Sequence, residues 1–351
     1  MPDLREVFEM VKQQTEPDQD SWAEQERRIR SSQRKRKYGA LALVAALAAV
    51  IAIVVASNLD ADDQGVAPAS NGPSGVVAPS PSELAFLDLA TSATTGAGIV
   101  PGGSEVDVSP DGTEMTYVDA TGAVAVANVD GSDPRPFPRT ISMNDPSAPR
   151  WSPDGTKIVF QRKGANGVIG NLFVLDVTSG RARQITNLPS VRAGLYYMAP
   201  TFSSDGRSVL FTMPTEVASG PNAGQLEWDL WTVPASGGDA TLLLKNAGFA
   251  DAEPNGDSIT FVALQSDGKG DPTFGDVYVA RSDGTEPRKL AEGETLLPRW
   301  SPDGSEVAFA DVGKPGIFVA DPATGETQKV YGTDEWPEWV DQQTLIIDLS
   351  D

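Results

Sequence analysis

The sequence predicts an all-β fold, a six-bladed β-propeller, preceded by short cytoplasmic helices and one transmembrane helix. Three observations predict it: a turn tetrapeptide that recurs at blade-sized intervals, a strand pattern after every copy, and a 19-residue stretch near the N-terminus without a single charge. Each segment follows in chain order.

Residues 1–38 carry nine Lys/Arg and eight Asp/Glu, with Arg27, Arg28, Arg30, Arg34, Lys35, Arg36 and Lys37 crowded at the end of the segment. Asp3-Leu4-Arg5-Glu6 and Ser21-Trp22-Ala23-Glu24 both fit the capping box, and Pro17 separates them, so two short helices are expected. Leu4, Val7, Phe8 and Val11 fall at i, i+3, i+4 and i+7. A stripe on so short a helix needs a cover, which is a cytoplasmic partner protein, the membrane surface, or the second helix through Trp22 and Ile29.

Residues 39–57 comprise eight Ala, nine Leu/Ile/Val, one Gly and one Ser. At about 1.5 Å per residue this run spans roughly 28 Å, the thickness of a bilayer's hydrocarbon core. It lacks the polar face that a buried core helix keeps. The basic cluster precedes it while Asp60, Asp62 and Asp63 follow, so the positive-inside rule puts the N-terminus in the cytoplasm and the remainder outside. A cleavable signal is the competing reading, but a patterned segment of 38 residues is unlike a signal n-region. Residues 58–82, with four Pro, three Gly, four Ser and four Ala, read as a linker.

Residues 83–351 form the propeller. Ser109-Pro110-Asp111-Gly112 recurs at Ser152–Gly155, Ser203–Gly206, Glu253–Gly256 and Ser301–Gly304, with a degenerate copy at Val340-Asp341-Gln342. Positions 111, 154, 205, 255, 303 and 341 are separated by 43, 51, 50, 48 and 38 residues, the period of propeller blades. Pro presets φ at the second corner of a type I turn, and Ser before it and Gly after it suit the other corners. The tetrapeptide is therefore a hairpin turn, and its repeated Asp is structural rather than catalytic or metal-binding. Short strands follow each copy, such as Lys157–Phe160 and Glu306–Phe309, and a second strand pair ends in Gly-containing turns at Gly180, Gly237, Gly284 and Gly325. Four strands per unit result. The last unit stops after two strands, whereas Leu84–Leu89 resembles Leu172–Val177, so strands within 84–100 are expected to supply the outer half of the last blade and close the ring.

Trp151-Ser152-Pro153-Asp154-Gly155 and Trp300-Ser301-Pro302-Asp303-Gly304, each running on to a Phe, resemble the WD-like repeat of TolB-type β-propellers. The resemblance covers roughly three quarters of the chain and implies a six-bladed binding scaffold, often exported and often built into peptidases. A membrane anchor stands where TolB has a separate α/β domain, and no peptidase domain is expected, so neither role is carried over. The arrangement of short inner helices, one span and an exported sensor-like domain is similar to transmembrane anti-sigma factors, without the His/Cys zinc motif of many of them.

Chemistry is bounded by composition. With no His and no Cys there is no Ser-His-Asp triad, no thiol nucleophile, no disulfide and no thiolate or imidazole metal site. Asp60–Gly65 resembles the start of a calcium loop, but Asn71 stands at its twelfth position, and Gly268-Lys269-Gly270 is too short for a phosphate loop, so no metal or cofactor is predicted. The chain carries a net charge of −22, of which residues 39–351 contribute −23, and this opposes nucleic-acid binding.

Strand parity puts the tetrapeptide turns on one face and the long connections, Arg162 to Gly170, Leu188 to Ala199, Thr212 to Trp228 and Leu264 to Gly275, on the other. That loop face is expected to bring Tyr196, Tyr197, Trp228 and Phe274 together in an acidic surround of Glu216, Glu227, Asp267 and Asp271, as anchors for a protein or small ligand. Packing of these aromatics between blades is the alternative use. Function is thus expected to be non-enzymatic binding at the propeller, and signal transfer through the N-terminal helices follows if a cytoplasmic protein, rather than the membrane or the second helix, covers Leu4, Val7, Phe8 and Val11. A carboxylate-based hydrolase or lyase, acting on a glycan or an ester at the loop face, is the alternative.

Overall fold

The computed structural model describes residues 82–100, 106–138, 146–162, 170–188, 198–217, 226–266, 272–332 and 336–348. The helices expected within 1–38, the span 39–57 and almost all of the linker lie outside them. Among the described residues no helix is long and apolar enough to cross a membrane.

The described strands form six four-stranded antiparallel sheets. The chain begins with β1 (Ser82–Asp88) and β2 (Thr94–Val100). Blade 1 follows with β3 (Asp107–Val108), β4 (Glu114–Val118), β5 (Val124–Asn128) and β6 (Arg135–Pro136), and blade 2 with β7 (Pro146–Trp151), β8 (Lys157–Arg162), β9 (Asn171–Asp176) and β10 (Arg181–Gln184). Blade 3 holds β11 (Thr201–Phe202), β12 (Ser208–Glu216), β13 (Leu226–Pro234) and β14 (Thr241–Leu244). Blade 4 holds β15 (Ala247–Ala252), β16 (Ser258–Ser266), β17 (Pro272–Arg281) and β18 (Arg288–Ala291), and blade 5 holds β19 (Thr295–Trp300), β20 (Val307–Asp311), β21 (Gly316–Ala320) and β22 (Thr327–Tyr331). The last strands, β23 (Glu338–Trp339) and β24 (Thr344–Asp348), pair not with a following hairpin but with β1, giving the order β2-β1-β24-β23. Blade 6 is composite, its inner half C-terminal and its outer half N-terminal. The first strand of every blade touches that of the next, from β3 through β7, β11, β15, β19 and β23 back to β3, so the ring is closed.

Apolar side chains fill the spaces between blades, because both faces of each sheet are covered. Val124, Val126, Trp151, Ile158 and Phe160 pack blade 1 on blade 2; Val277, Val279, Trp300, Val307 and Phe309 pack blade 4 on blade 5; Ile317, Val319, Trp339 and Leu345 pack blade 5 on blade 6. Leu84, Met115, Tyr117 and Ile346 join blade 6 to blade 1 across the composite seam. Within blades, cross-strand rings stack: Phe160 on Phe173, Phe261 on Tyr278 and Phe309 on Phe318, each at 5.7 Å between centroids. Such pairs contribute about 0.5–1.5 kcal/mol each beyond the area they bury.

The tetrapeptide closes the hairpin between the first two strands as its composition requires. Gly112 N–H donates to Ser109 O at 2.8 Å, Gly155 to Ser152 O at 2.9 Å and Gly304 to Ser301 O at 2.9 Å. Ser109 Oγ donates to Asp111 Oδ1 at 2.7 Å, and Asp111 Oδ1 accepts from Thr113 N–H at 3.1 Å; the same clamp recurs at Asp154, Asp205 and Asp303. At Asp111 these bonds, Ser109 first and then Thr113, hold the carboxyl below its ordinary value.

Candidate functional site

The six-residue inner strands β7, β15 and β19 do not run straight. Their pairing with the second strand slips by one residue, between Ser147 and Arg150, Gly248 and Asp251, and Leu296 and Arg299. At the slips, Ala148, Phe249 and Leu297 adopt positive φ (50°, 53° and 45°), as does Ala199 (41°) before β11. A bulge of this kind bends a strand and re-aims the side chains that follow. Left-handed φ at Phe249 and Leu297 opposes folding by about 1–2 kcal/mol each, and the packed surroundings hold it. One such hold is the bond from Phe249 N–H to Thr212 Oγ1 at 2.9 Å.

The bulges precede Arg150, Asp251 and Arg299, which stand two residues before the first residue of the turn; the same position in the other repeats holds Asp107, Thr201 and Glu338. The Arg150 guanidinium, from blade 2, reaches three other blades. Its Nη1 pairs with Asp107 Oδ1 of blade 1 at 3.0 Å and donates to Glu338 Oε2 of blade 6 at 2.5 Å, and its Nη2 donates to Asp251 Oδ1 of blade 4 at 3.5 Å. One side chain can do this only where all blades converge, so these residues occupy the propeller axis. Arg299 Nε also donates to Glu338 Oε2, at 3.0 Å, and Thr201 Oγ1 donates to Asp251 Oδ1 at 3.2 Å.

Backbone donors complete the ring. Trp151 N–H donates to Asp107 Oδ2 at 2.5 Å and Trp300 N–H to Asp251 Oδ2 at 2.9 Å, so in each case a carboxylate of one blade holds the main chain of the next. Trp339 Nε1 donates to Arg299 O at 3.0 Å. Asp107 is 4 % exposed, and Asp251 and Arg299 8 % each. Burial raises the Asp107 carboxyl to about 7; Arg150 pulls the other way, and Glu338 adds to the rise. Burial works against the charge on Arg150 as well, but Asp107, Glu338 and Asp251 outweigh it and raise its pKa. Burial, then the proximity of Arg150, lowers Arg299 from its ordinary value.

Comparison with known proteins matches this architecture. The putative TolB from Agrobacterium tumefaciens superposes over 77 % of this chain and 99 % of its own with a TM-score of 0.57 at 19 % identity. The chain has a TolB-like six-bladed β-propeller fold. A chain of a nidogen/laminin complex superposes over 71 % of this chain and 92 % of its own, with a TM-score of 0.50 at 10 % identity. In sequence, dipeptidyl aminopeptidase BIII from Pseudoxanthomonas mexicana is 26 % identical over 281 residues, 67 % of this chain and 38 % of that enzyme. The TolB-like chain thus spans under two-fifths of the enzyme's length. No family model matches it.

The TolB-like propeller distributes the expected loop-face residues unevenly. The sequence pattern predicts loops over Thr212 to Trp228 and Leu264 to Gly275, with the strands of blades 3 and 4 ending before them. In the structure β12 and β13 run nine residues each and β16 and β17 nine and ten. Trp228 is therefore a strand residue opposite Pro214 and only 2 % exposed, its ring in the core that joins blades 2, 3 and 4. Phe274 pairs with Leu264 and is half-buried, edge-on to Phe249 at 5.5 Å. The physical reason is pairing: nine-residue hairpins satisfy backbone groups that a loop would leave to water. Tyr196, Tyr197, Asp267 and Asp271 lie outside the described residues, as do Leu4, Val7, Phe8 and Val11. Glu216 is exposed and Glu227 half-buried. Among the described residues the exposed large apolar side chain is Trp336, at 41 %, two positions before Glu338.

The axial residues are hidden in the repeat pattern, which is defined by what the repeats share. Their position holds Asp, Arg, Thr, Asp, Arg and Glu and shows no common residue. The readable signal is a charged side chain directly before a buried Trp, as in Arg150-Trp151, Arg299-Trp300 and Glu338-Trp339.

Proposed function

We propose that this chain is a binding scaffold displayed outside a cell membrane, held by the single span 39–57 with its N-terminus inside. Its propeller recognises a protein or small ligand on the loop face, and the stripe Leu4, Val7, Phe8 and Val11 docks a cytoplasmic protein, which would let binding outside be reported inside.

The observation that supports a scaffold is the state of the axial carboxyl groups. A hydrolase or lyase would need a carboxyl of altered acidity that meets substrate. Asp107 has that acidity, but Arg150 and the Trp151 N–H occupy its two oxygens and it is 4 % exposed. The Asp groups of the turn face are likewise taken up by their own turns. On the opposite face, where β8, β10, β12 and β16 end, the connections differ in the number of residues before the next strand. Rigid scaffolds commonly bind through such connections.

Crosslinking from intact membranes tests the reading. A Tyr196→Ala, Tyr197→Ala double variant should lose an extracytoplasmic partner while its propeller still unfolds at the wild-type temperature. A variant lacking residues 1–16 should lose only a cytoplasmic one. Unchanged partners in the first variant would remove the loop face from the proposal; unchanged partners in the second would reduce the N-terminal helix to a spacer beside the membrane.

A further inference from the structure

The axial cluster contains three carboxyl groups, Asp107, Asp251 and Glu338, and two guanidinium groups, Arg150 and Arg299. Fully ionised it carries one uncompensated negative charge on the axis, where burial makes a lone charge expensive. One proton balances the count. Geometry says where it goes: Asp107 Oδ1 and Glu338 Oε2 converge on the same nitrogen, Arg150 Nη1, and like charges brought so close favour protonating one of them. We propose that these five side chains form a one-proton latch that draws the closed ring of blades tighter as the surrounding pH falls toward 6.

Among the described residues, Arg150 comes from β7, Asp251 from β15, Arg299 from β19 and Glu338 from β23, while β11 brings the Thr201 hydroxyl. The latch includes the inner strand of the composite blade that closes the ring. β23 pairs with β24 through Glu338 and Trp339 alone, and both residues are tied inward, Glu338 to two arginines of blades 2 and 5 and Trp339 to Arg299 O. Neutralising Asp107 frees the Arg150 charge for Glu338 and Asp251.

The direction of the effect follows from linkage. The Asp107 carboxyl sits at about 7 in the folded chain against an ordinary 3.8. The folded state therefore holds a proton that the unfolded chain releases, and the stability this brings is full below the ordinary carboxylate value and is lost as pH rises through about 7. The background in that window is quiet, because a chain without His or Cys has no side chain that ordinarily titrates between pH 6 and 8. Burial also raises Asp229 and Glu306, which lie on β13 and in a turn, away from the axis.

The test is thermal unfolding of the full chain in neutral-detergent micelles, followed by tryptophan fluorescence between pH 8 and 5.5. The wild-type midpoint should rise by several degrees as the pH falls through 7. D107N keeps an oxygen for the Trp151 N–H and imitates the protonated acid, so it should unfold higher than wild type at pH 8 and show a flat profile. E338Q removes the crowding charge and should move the wild-type transition to lower pH. A wild-type midpoint that is flat or falls on acidification would overturn the latch without need of any variant. A D107N profile that still rises would overturn it too, assigning the proton to Asp229, Glu306 or another group.

Discussion

Asp107 and Asp111 are four residues apart in one blade and behave oppositely. Asp107 faces the axis, buried, with its carboxyl raised by desolvation and by Glu338 despite Arg150 beside it. Asp111 stands at the rim, exposed, with its carboxyl lowered by the Ser109 hydroxyl and by Thr113. The contrast recurs around the ring, since Asp88, Asp130, Asp176, Asp205, Asp283, Asp303 and Asp321 all sit in rim turns with lowered carboxyl groups. It teaches that the rim holds each blade's own hairpins while the axis holds blades to one another. Rim carboxylates are local and repeated, whereas those on the axis are shared and unlike.

The most severe way to break this division is Arg150→Met. Removing the guanidinium leaves buried carboxylates unpaired, and loss of one partner from a buried ion cluster costs about 3–5 kcal/mol. The thermal midpoint should fall by roughly 10 °C or more, at about 2–4 °C per kcal/mol for a domain of this size. A drop of one degree would mean that the axis is not the joint.

Two glycines of the same turn sharpen it next. Gly112 has φ 72° and a Cβ there would stand 2.7 Å from Val340 O of blade 6, whereas at Gly155, φ 65°, the nearest atom would be Pro110 Cδ at 4.0 Å. Gly155→Ala should lose about 1–2 kcal/mol from left-handed strain alone. Gly112→Ala should lose about 1–3 kcal/mol more, because it also forces blades 1 and 6 apart. Equal losses in denaturant unfolding would show that the turn, not the blade contact, sets the effect.

Asp154→Ala is a purely local change. It removes the acceptor for Ser152 Oγ, Thr156 N–H and Thr156 Oγ1, worth about 0.5–2 kcal/mol in all for so exposed a turn. Although burial works against it, the Ser152 and Thr156 bonds hold this carboxyl down at about 2. Its contribution is therefore present above the ordinary carboxylate value and is lost as pH falls through about 2. Wild type and variant should converge in stability at the acid end of a titration. Axial and rim acids would then show opposite slopes in separate pH windows.

The smallest change is Trp336→Ala, expected within about 0.5 kcal/mol because the side chain is 41 % exposed. A larger loss in the same unfolding assay would place Trp336 in the closure of blade 6.

The sequence by itself determined the number of blades and the chemistry of their turns. A tetrapeptide repeated at intervals of 38 to 51 residues fixes a local hairpin, and local hydrogen bonds such as Ser109 to Asp111 need no neighbour to form. It also carried the composite last blade, because a unit two strands short needs two strands from elsewhere. Strand length in blades 3 and 4 was not legible: the pairing that carries Trp228 into the core depends on how far two strands stay in register, which no residue in the Met213 to Glu227 stretch announces. Only the tertiary structure decided the axis. Asp107, Arg150, Thr201, Asp251, Arg299 and Glu338 lie tens of residues apart, have no one residue type in common, and acquire a common role when the inner strands of six blades, three of them bulged, bring them together. A charge costs little in an extended chain in water, and its meaning is set by what surrounds it once water is gone.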